Sequence, residues 1–95
     1  MKIRFSVNNS EYELTSDKYQ IILNEIKIIQ KGENAGKESP SLVGYYKDEF
    51  QALKSILGYE KFMSECSTFD ELEKLTKATL ERLNELADLY RSNSE

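Results

Sequence analysis

The side chains able to do chemistry in this chain of 95 residues are few in kind: one thiol, Cys66, six phenols, and seventeen carboxylates, with no histidine. Without imidazole the commonest general base and metal ligand is missing, so nothing stands ready to activate Cys66 or a serine. One cysteine and no histidine give no Cys₂ or Cys/His set for zinc. Carboxylate pairs such as Glu71 with Glu73, or Glu81 with Glu85, read as surface charges of a helix. Several have a lysine one turn on, as Asp70 has Lys74 and Glu73 has Lys77. Hydrolysis by paired carboxylates needs two groups facing each other across a cleft, and the oxygen spacing of an EF-hand is not present. There is no Gly-x-Ser-x-Gly elbow. Gly32-Glu-Asn-Ala-Gly36-Lys37 approaches a phosphate-binding loop, but it has three residues between the glycines where that loop needs four, and Glu38 where it needs Ser or Thr. A hairpin loop using glycine for positive φ accounts for it better. These residues predict no catalytic group, no cofactor and no metal: a chain that is not an enzyme.

Recognition is the chemistry that remains. Residues 1–46 carry six basic and six acidic side chains, and residues 47–95 carry seven and eleven, so all the excess acidity lies in the second half. Glu60, Glu65, Asp70, Glu71 and Glu73 crowd one stretch with only Lys61 to balance them. Such a surface opposes binding to phosphate backbones, which predicts no direct DNA binding. It suits a basic partner surface. Asp70 and Glu71 also have a local use, because carboxylates favour a helix N-terminus. Among the tyrosines, Tyr45 and Tyr46 must point to opposite faces if they lie on a strand, which offers one of them to a partner as an aromatic anchor. Cys66, near Phe62, Met63 and Phe69, reads as a small apolar filler.

The elements that must position these groups follow from periodicity. Ile3, Phe5 and Val7 alternate with Lys2, Arg4 and Ser6, predicting a half-buried strand over 2–7. Asn8-Asn9-Ser10 supplies a turn, and residues 11–15 alternate again with Tyr12 and Leu14 inward, completing a hairpin. Residues 19–31 are rich in isoleucine, which favours a strand over a helix. Their apolar parity shifts near Asn24-Glu25, as at a β-bulge. Residues 32–40 have loop composition, and residues 41–46 return as a strand. Asp48 and Gln51 sit in capping-box positions ahead of a first helix with Phe50, Leu53, Ile56 and Leu57 on its apolar face, and Gly58 placed to kink or end it. Tyr59, Phe62, Met63 and Cys66 continue a helical spacing. Thr68 and Glu71 form a second capping box, opening a helix over about 69–91. Phe69, Leu72, Thr76, Thr79, Leu83, Leu86 and Tyr90 follow a heptad seam there; the band either packs on the sheet and the first helix or pairs with a second copy, and the second reading predicts a homodimer contact through Phe69, Leu72, Leu83, Leu86 and Tyr90.

The whole is an α+β fold: a three- to four-stranded antiparallel meander followed by two C-terminal helices packed on one face. It forms a single domain over 1–95, with a strand half (1–46), a helical half (47–91) and a polar tail (92–95). No apolar run is long enough to cross a membrane, and the first residues begin a strand rather than a signal peptide. With one cysteine and no internal disulfide the expected place is the cytoplasm.

The succession Ser16-Asp17, Ile21-Ile22-Leu23, Gly32-Glu-Asn-Ala-Gly36-Lys-Glu38, Gly44-Tyr45-Tyr46 and Gln51-Ala52-Leu53, followed by a charged leucine-rich helix, resembles small proteins of bacteriophages and prophages of Gram-positive bacteria. The resemblance spans most of the chain and rests on turns and strands. It implies an accessory gene of a mobile element, which makes the expected cytoplasm that of a bacterial host cell, and, within that class, an inhibitor of host defence of the anti-CRISPR kind. It brings no active site with it. The reading is then a non-catalytic protein that covers a basic surface of a bacterial defence protein or ribonucleoprotein. In it Glu60, Glu65, Asp70, Glu71 and Glu73 steer, and Tyr45 or Tyr46 anchors. Two alternatives stand beside it: an oligomeric sponge for a nucleotide signal using Lys27, Lys31 and Lys37, and a structural or assembly module of the phage.

Overall fold

A computed structural model describes residues 1–93, with side chains through residue 89. Its elements run β1 (Lys2–Val7), β2 (Ser10–Ser16), β3 (Ile21–Ile28), β4 (Glu38–Tyr46), α1 (Glu49–Met63) and α2 (Phe69–Asn93). The four strands form one antiparallel sheet in chain order, β1-β2-β3-β4. The architecture is therefore the α+β meander with two following helices, with four strands. The chain divides into two compact units, residues 1–52 and 53–95.

In the sheet unit the turns follow local chemistry. Asn8, the first residue of the two-residue β1–β2 loop, takes a φ of 55°, which Asn tolerates better than most residues. In the next turn Asp17 Oδ1 accepts the backbone N–H of Tyr19 at 2.8 Å and of Gln20 at 3.0 Å. These amides, Tyr19 first, hold the Asp17 carboxyl below its ordinary value. The register places Ile3, Phe5, Val7, Tyr12, Leu14 and Leu23 on one face. Of these Phe5, Val7, Tyr12, Leu14 and Leu23 are buried, with the Phe5 and Tyr12 rings stacked at 5.8 Å.

Strand β3 corrects the parity argument. It pairs with β2 without interruption, so it carries no bulge on that side. The irregularity lies against β4: Leu23 faces Gly44 and the next residue, Asn24, faces Leu42, which leaves Val43 as the extra residue on β4. The parity shift arises because β3 is apolar on both faces, with Ile21 and Leu23 on one and Ile22, Ile26 and Ile28 on the other. On that second face Arg4 donates to Glu13 at 3.0 Å and to Glu38, and approaches Glu11 at 4.0 Å. The hydrogen bond to Glu38, then that to Glu13, holds the guanidinium above its ordinary value. Ile26, on the intervening strand, is buried. Ile28, Leu42 and Tyr45 on this face are exposed.

Strand β4 begins three residues earlier than the composition predicts and includes Pro40, which an edge strand tolerates because no ladder bond is lost. The connection before it is tight: Gly36 N–H donates to Ile29 O at 2.8 Å and Ile29 N–H to Lys37 O at 2.9 Å. Gly32 and Gly36 both take φ near 90°.

In the helices, Asp48 Oδ1 accepts the N–H of Gln51 at 2.8 Å, and Thr68 Oγ1 accepts that of Glu71 at 3.2 Å. Each return bond reaches one residue further back than the standard box: Gln51 Oε1 accepts Lys47 N–H, and Glu71 Oε2 accepts Ser67 N–H. Helix α1 continues through Gly58 to Met63, so that glycine neither ends it nor marks its boundary. Cys66 then falls in the linker, half-buried, rather than on a helix. Helix α2 runs to Asn93, two residues into the stretch read as a polar tail, and the rest of that tail lies outside the described residues.

Candidate functional site

The place where α1 ends and α2 begins gathers the most unusual surface of the chain. Stretch 60–73 holds five acidic residues and one basic residue, and the remainder of the sequence holds twelve of each. The whole net charge of −4 therefore resides in this elbow. The structure leaves Glu65, Asp70, Glu71 and Glu73 exposed there. Glu60 is not part of that surface. It occupies the same helical stripe as Ala52 and Ile56 and is only 9% exposed, so the expected steering role fails for it on simple accessibility. Glu71 is engaged by the α2 cap, its carboxylate accepting from Ser67. Glu73 pairs with Lys77 at 3.0 Å, one turn on.

The apolar residues of the elbow are the larger surprise. Phe62 is 84% exposed and Phe69 is 89% exposed, and Met63, next to Phe62 in the chain, is half bare. A phenylalanine in a small soluble chain is ordinarily turned inward, so two nearly bare ones within eight residues form a feature that needs a reason. Tyr59, Phe62 and Met63 keep the helical spacing expected of them, but Phe62 and Met63 lie in the last turn of α1, on a face the chain leaves exposed. Ser64 closes the end of α1, its N–H and Oγ–H both donating to Lys61 O.

The expected dimer seam does not form a uniform open stripe. Phe69 is bare and Leu72 and Leu86 are half-buried, but Leu83 is buried within the chain itself and is closed to a partner. Thr79, one turn before it, is fully buried. The seam threonines tolerate this because Thr76 Oγ1–H donates to Leu72 O at 2.8 Å and Thr79 Oγ1–H to Leu75 O at 2.7 Å. The Tyr90 side chain lies outside the described residues.

Of the tyrosine pair, Tyr45 is the outward one, at 55% exposure. Tyr46 lies on the opposite face, half-buried, with its ring folded over Gly44: a Cβ built on Gly44 would stand 2.5 Å from the Tyr46 hydroxyl. Tyr46 is thus tied to its own strand, and Tyr45 belongs to the sheet unit rather than to the elbow.

The loop and lysines considered for a phosphorylated ligand have local engagements. Gly36 and Lys37 donate their amides within the hairpin loop, so those N–H groups are not turned out to cradle phosphate. Lys37 Nζ donates to Asn34 at 3.3 Å, and Lys27 lies 3.8 Å from Glu25. Among the described residues, no three of His, Cys, Asp and Glu form a group that could hold a metal ion. Every buried side-chain nitrogen or oxygen among them has a partner. No helix of the described chain is long and apolar enough to cross a membrane.

Comparison with known proteins adds provenance. Residues 7–86 match the family described as Domain of unknown function (DUF5405). The chain is 30% identical over 90 residues to an uncharacterized 10.2 kDa protein in the GpA 5′ region of Escherichia phage P2, covering 95% of this chain and 98% of that one. It is 32% identical over 80 residues to an uncharacterized 10.4 kDa protein in the GpA 5′ region of Escherichia phage 186, covering 80% of this chain and 87% of the relative. No solved structure matches. Both relatives come from phages of a Gram-negative host, in place of the Gram-positive provenance that the resemblance implied.

Proposed function

The chain belongs to the family described as Domain of unknown function (DUF5405), its relatives are phage proteins, and on that premise we propose that it is a non-catalytic binding protein that works inside the infected bacterium. Its task in this reading is to inhibit a host defence protein or ribonucleoprotein by covering a basic surface. The observation that carries the reading is the elbow, where the exposed carboxylates Glu65, Asp70, Glu71 and Glu73 share a short stretch of chain with two bare phenylalanines. Exposed carboxylates raise the encounter rate with a cationic face, and aromatic side chains that lose water at a contact supply most of the affinity. The same charge disfavours DNA as the ligand.

The test is a plating assay. The protein is expressed in strains that each carry one defence system, and each strain is challenged with a phage that its system blocks. The expected result is restored plating in one strain, lost when Glu65, Asp70 and Glu73 are reversed to lysine in a protein that circular dichroism shows to be still folded. Failure to restore plating in any strain counts against the inhibitor reading.

A second reading is favoured by the names of the two relatives, both placed 5′ of GpA in their phages. Neighbouring phage genes commonly serve one process, so the GpA product of the cognate phage is the partner to test. Co-purification of the two, abolished by the same charge reversals, would favour this reading over the first.

A further inference from the structure

We propose that the elbow is the docking site for a basic amphipathic helix, with Phe62 and Phe69 as anchors and the surrounding carboxylates as the guide. This rests on the protein-binding reading above and names the chemistry of the partner. The argument begins with area. Phe62 and Phe69, nearly bare, and the half-exposed Met63, all within eight residues of chain, together leave about 400 Å² of apolar side chain in solvent. A standard interface needs about 800 Å² on each side. These side chains would supply the apolar anchors for one face of one helix, with polar contacts supplying the remaining area.

Charge then selects the occupant. Asp70 and Glu71 sit in the first turn of α2, directly after Phe69, and Glu65 lies in the linker between the two phenylalanines. Lys61 is the only cation in the stretch 60–73. A second copy of the chain would bring like charges together across the patch, which disfavours self-association through the elbow. An acidic or neutral partner gains nothing from the rim. A helix with an apolar stripe bordered by Lys or Arg satisfies both the patch and the rim.

Cys66, the only thiol of the chain, lies in the linker between the anchors and reports on occupancy there. The probe is a synthetic peptide of about 18 residues with leucine at helical i, i+3, i+4 spacing and lysine elsewhere. Two control peptides replace the lysines by glutamate, or the leucines by serine. Fluorescence anisotropy should show binding of the Leu/Lys peptide alone, weakened at least about tenfold by Phe62→Ser with Phe69→Ser. Saturating peptide should slow the reaction of Cys66 with a thiol-specific dye. Circular dichroism should show that the variant keeps its fold, because both phenylalanines are exposed. Equal binding of the Leu/Glu peptide, or of the Ser/Lys peptide, overturns the proposal. So does unchanged Cys66 reactivity at saturation. Sedimentation giving a dimer mass that Phe62→Ser reduces to a monomer makes a second copy the occupant and overturns it as well. The peptide measurement needs no defence system, so a negative plating assay with positive peptide binding separates the failure of the biological role from that of the docking site.

Discussion

Phe5 and Phe62 are the same residue type in one short chain, and they meet opposite surroundings. Phe5 is buried and stacked on Tyr12 in the sheet unit. Phe62 stands in solvent at the end of α1. Charges divide the same way. In the sheet unit Arg4 is shared among Glu11, Glu13 and Glu38, and Asp17 is folded into its own turn. At the elbow the carboxylates outnumber their cations. The sheet residues are packed and paired, whereas the elbow leaves two phenylalanines, Glu65 and Asp70 exposed. If the proposed contact is right, that contrast separates residues that hold the fold from residues that meet a partner.

The comparison is sharpest in a pair of truncations. Tyr12→Ala should destabilise the protein by about 3–5 kcal/mol, because it empties a fully buried site and removes the ring under Phe5. Phe62→Ala should change stability by less than about 0.5 kcal/mol, as exposed substitutions do. Urea unfolding midpoints measure both. A large loss at Phe62 would show that the elbow is structural after all and would collapse the distinction.

A smaller effect is expected at Gly44. A methyl there meets the Tyr46 ring, so Gly44→Ala should cost about 1–3 kcal/mol and turn Tyr46 outward, read as a gain in tyrosine accessibility to a collisional quencher. Unchanged Tyr46 accessibility would mean that the strand itself yields. Next comes the α2 cap: Thr68→Ala should cost about 1 kcal/mol, seen as a lower Tm with partial loss of helical signal. If capping also positions Phe69, this variant should bind the Leu/Lys peptide less tightly although Phe69 remains.

The smallest effect concerns pH. Asp17 has a folded value below its unfolded one, so its contribution is present above the ordinary carboxylate range near 3.8 and is lost as pH falls through the lower folded value. Asp17→Asn keeps the side-chain acceptor but removes the titration. The acid limb of the Tm–pH curve should therefore become slightly shallower, and a carboxyl NMR titration of the parent should place Asp17 on the low side. An Asp17 titration at the ordinary value would refute the turn geometry as its cause.

Much of this fold was readable before any coordinates. Strands β1 and β2 follow from strict alternation, because one face is buried and the other is wet. The two helix starts follow from Asp48…Gln51 and Thr68…Glu71, since capping is a local interaction between near neighbours in the chain. Strand β3 was harder. A two-faced apolar strand and a bulged strand write the same parity shift, and only pairing with both neighbours tells them apart. The site was legible as charge but not as shape. The acidic cluster is visible in composition, whereas burial of Glu60 follows from its place on the Ala52–Ile56 stripe, and exposure of Phe62 and Phe69 depends on what the chain packs against the helix ends. Leucine and phenylalanine at helical spacing look alike whether they pack or wait, so Leu83 and Phe69 fell into one seam although one is inside and the other bare.

The chain-order sheet has a consequence for how quickly the protein becomes active. Each strand pairs only with the strand made just before it and the one made just after. Loop closure is therefore short at every step, the contact order is low for a β-containing protein, and folding should be fast for its class. As the chain leaves the ribosome, β1 can zip onto β2 before β4 has been synthesised, and the sheet can be complete while the elbow is still emerging. The charged, aromatic segment would then be displayed on a scaffold already formed, which limits the time its bare phenylalanines spend on an unfolded, aggregation-prone chain.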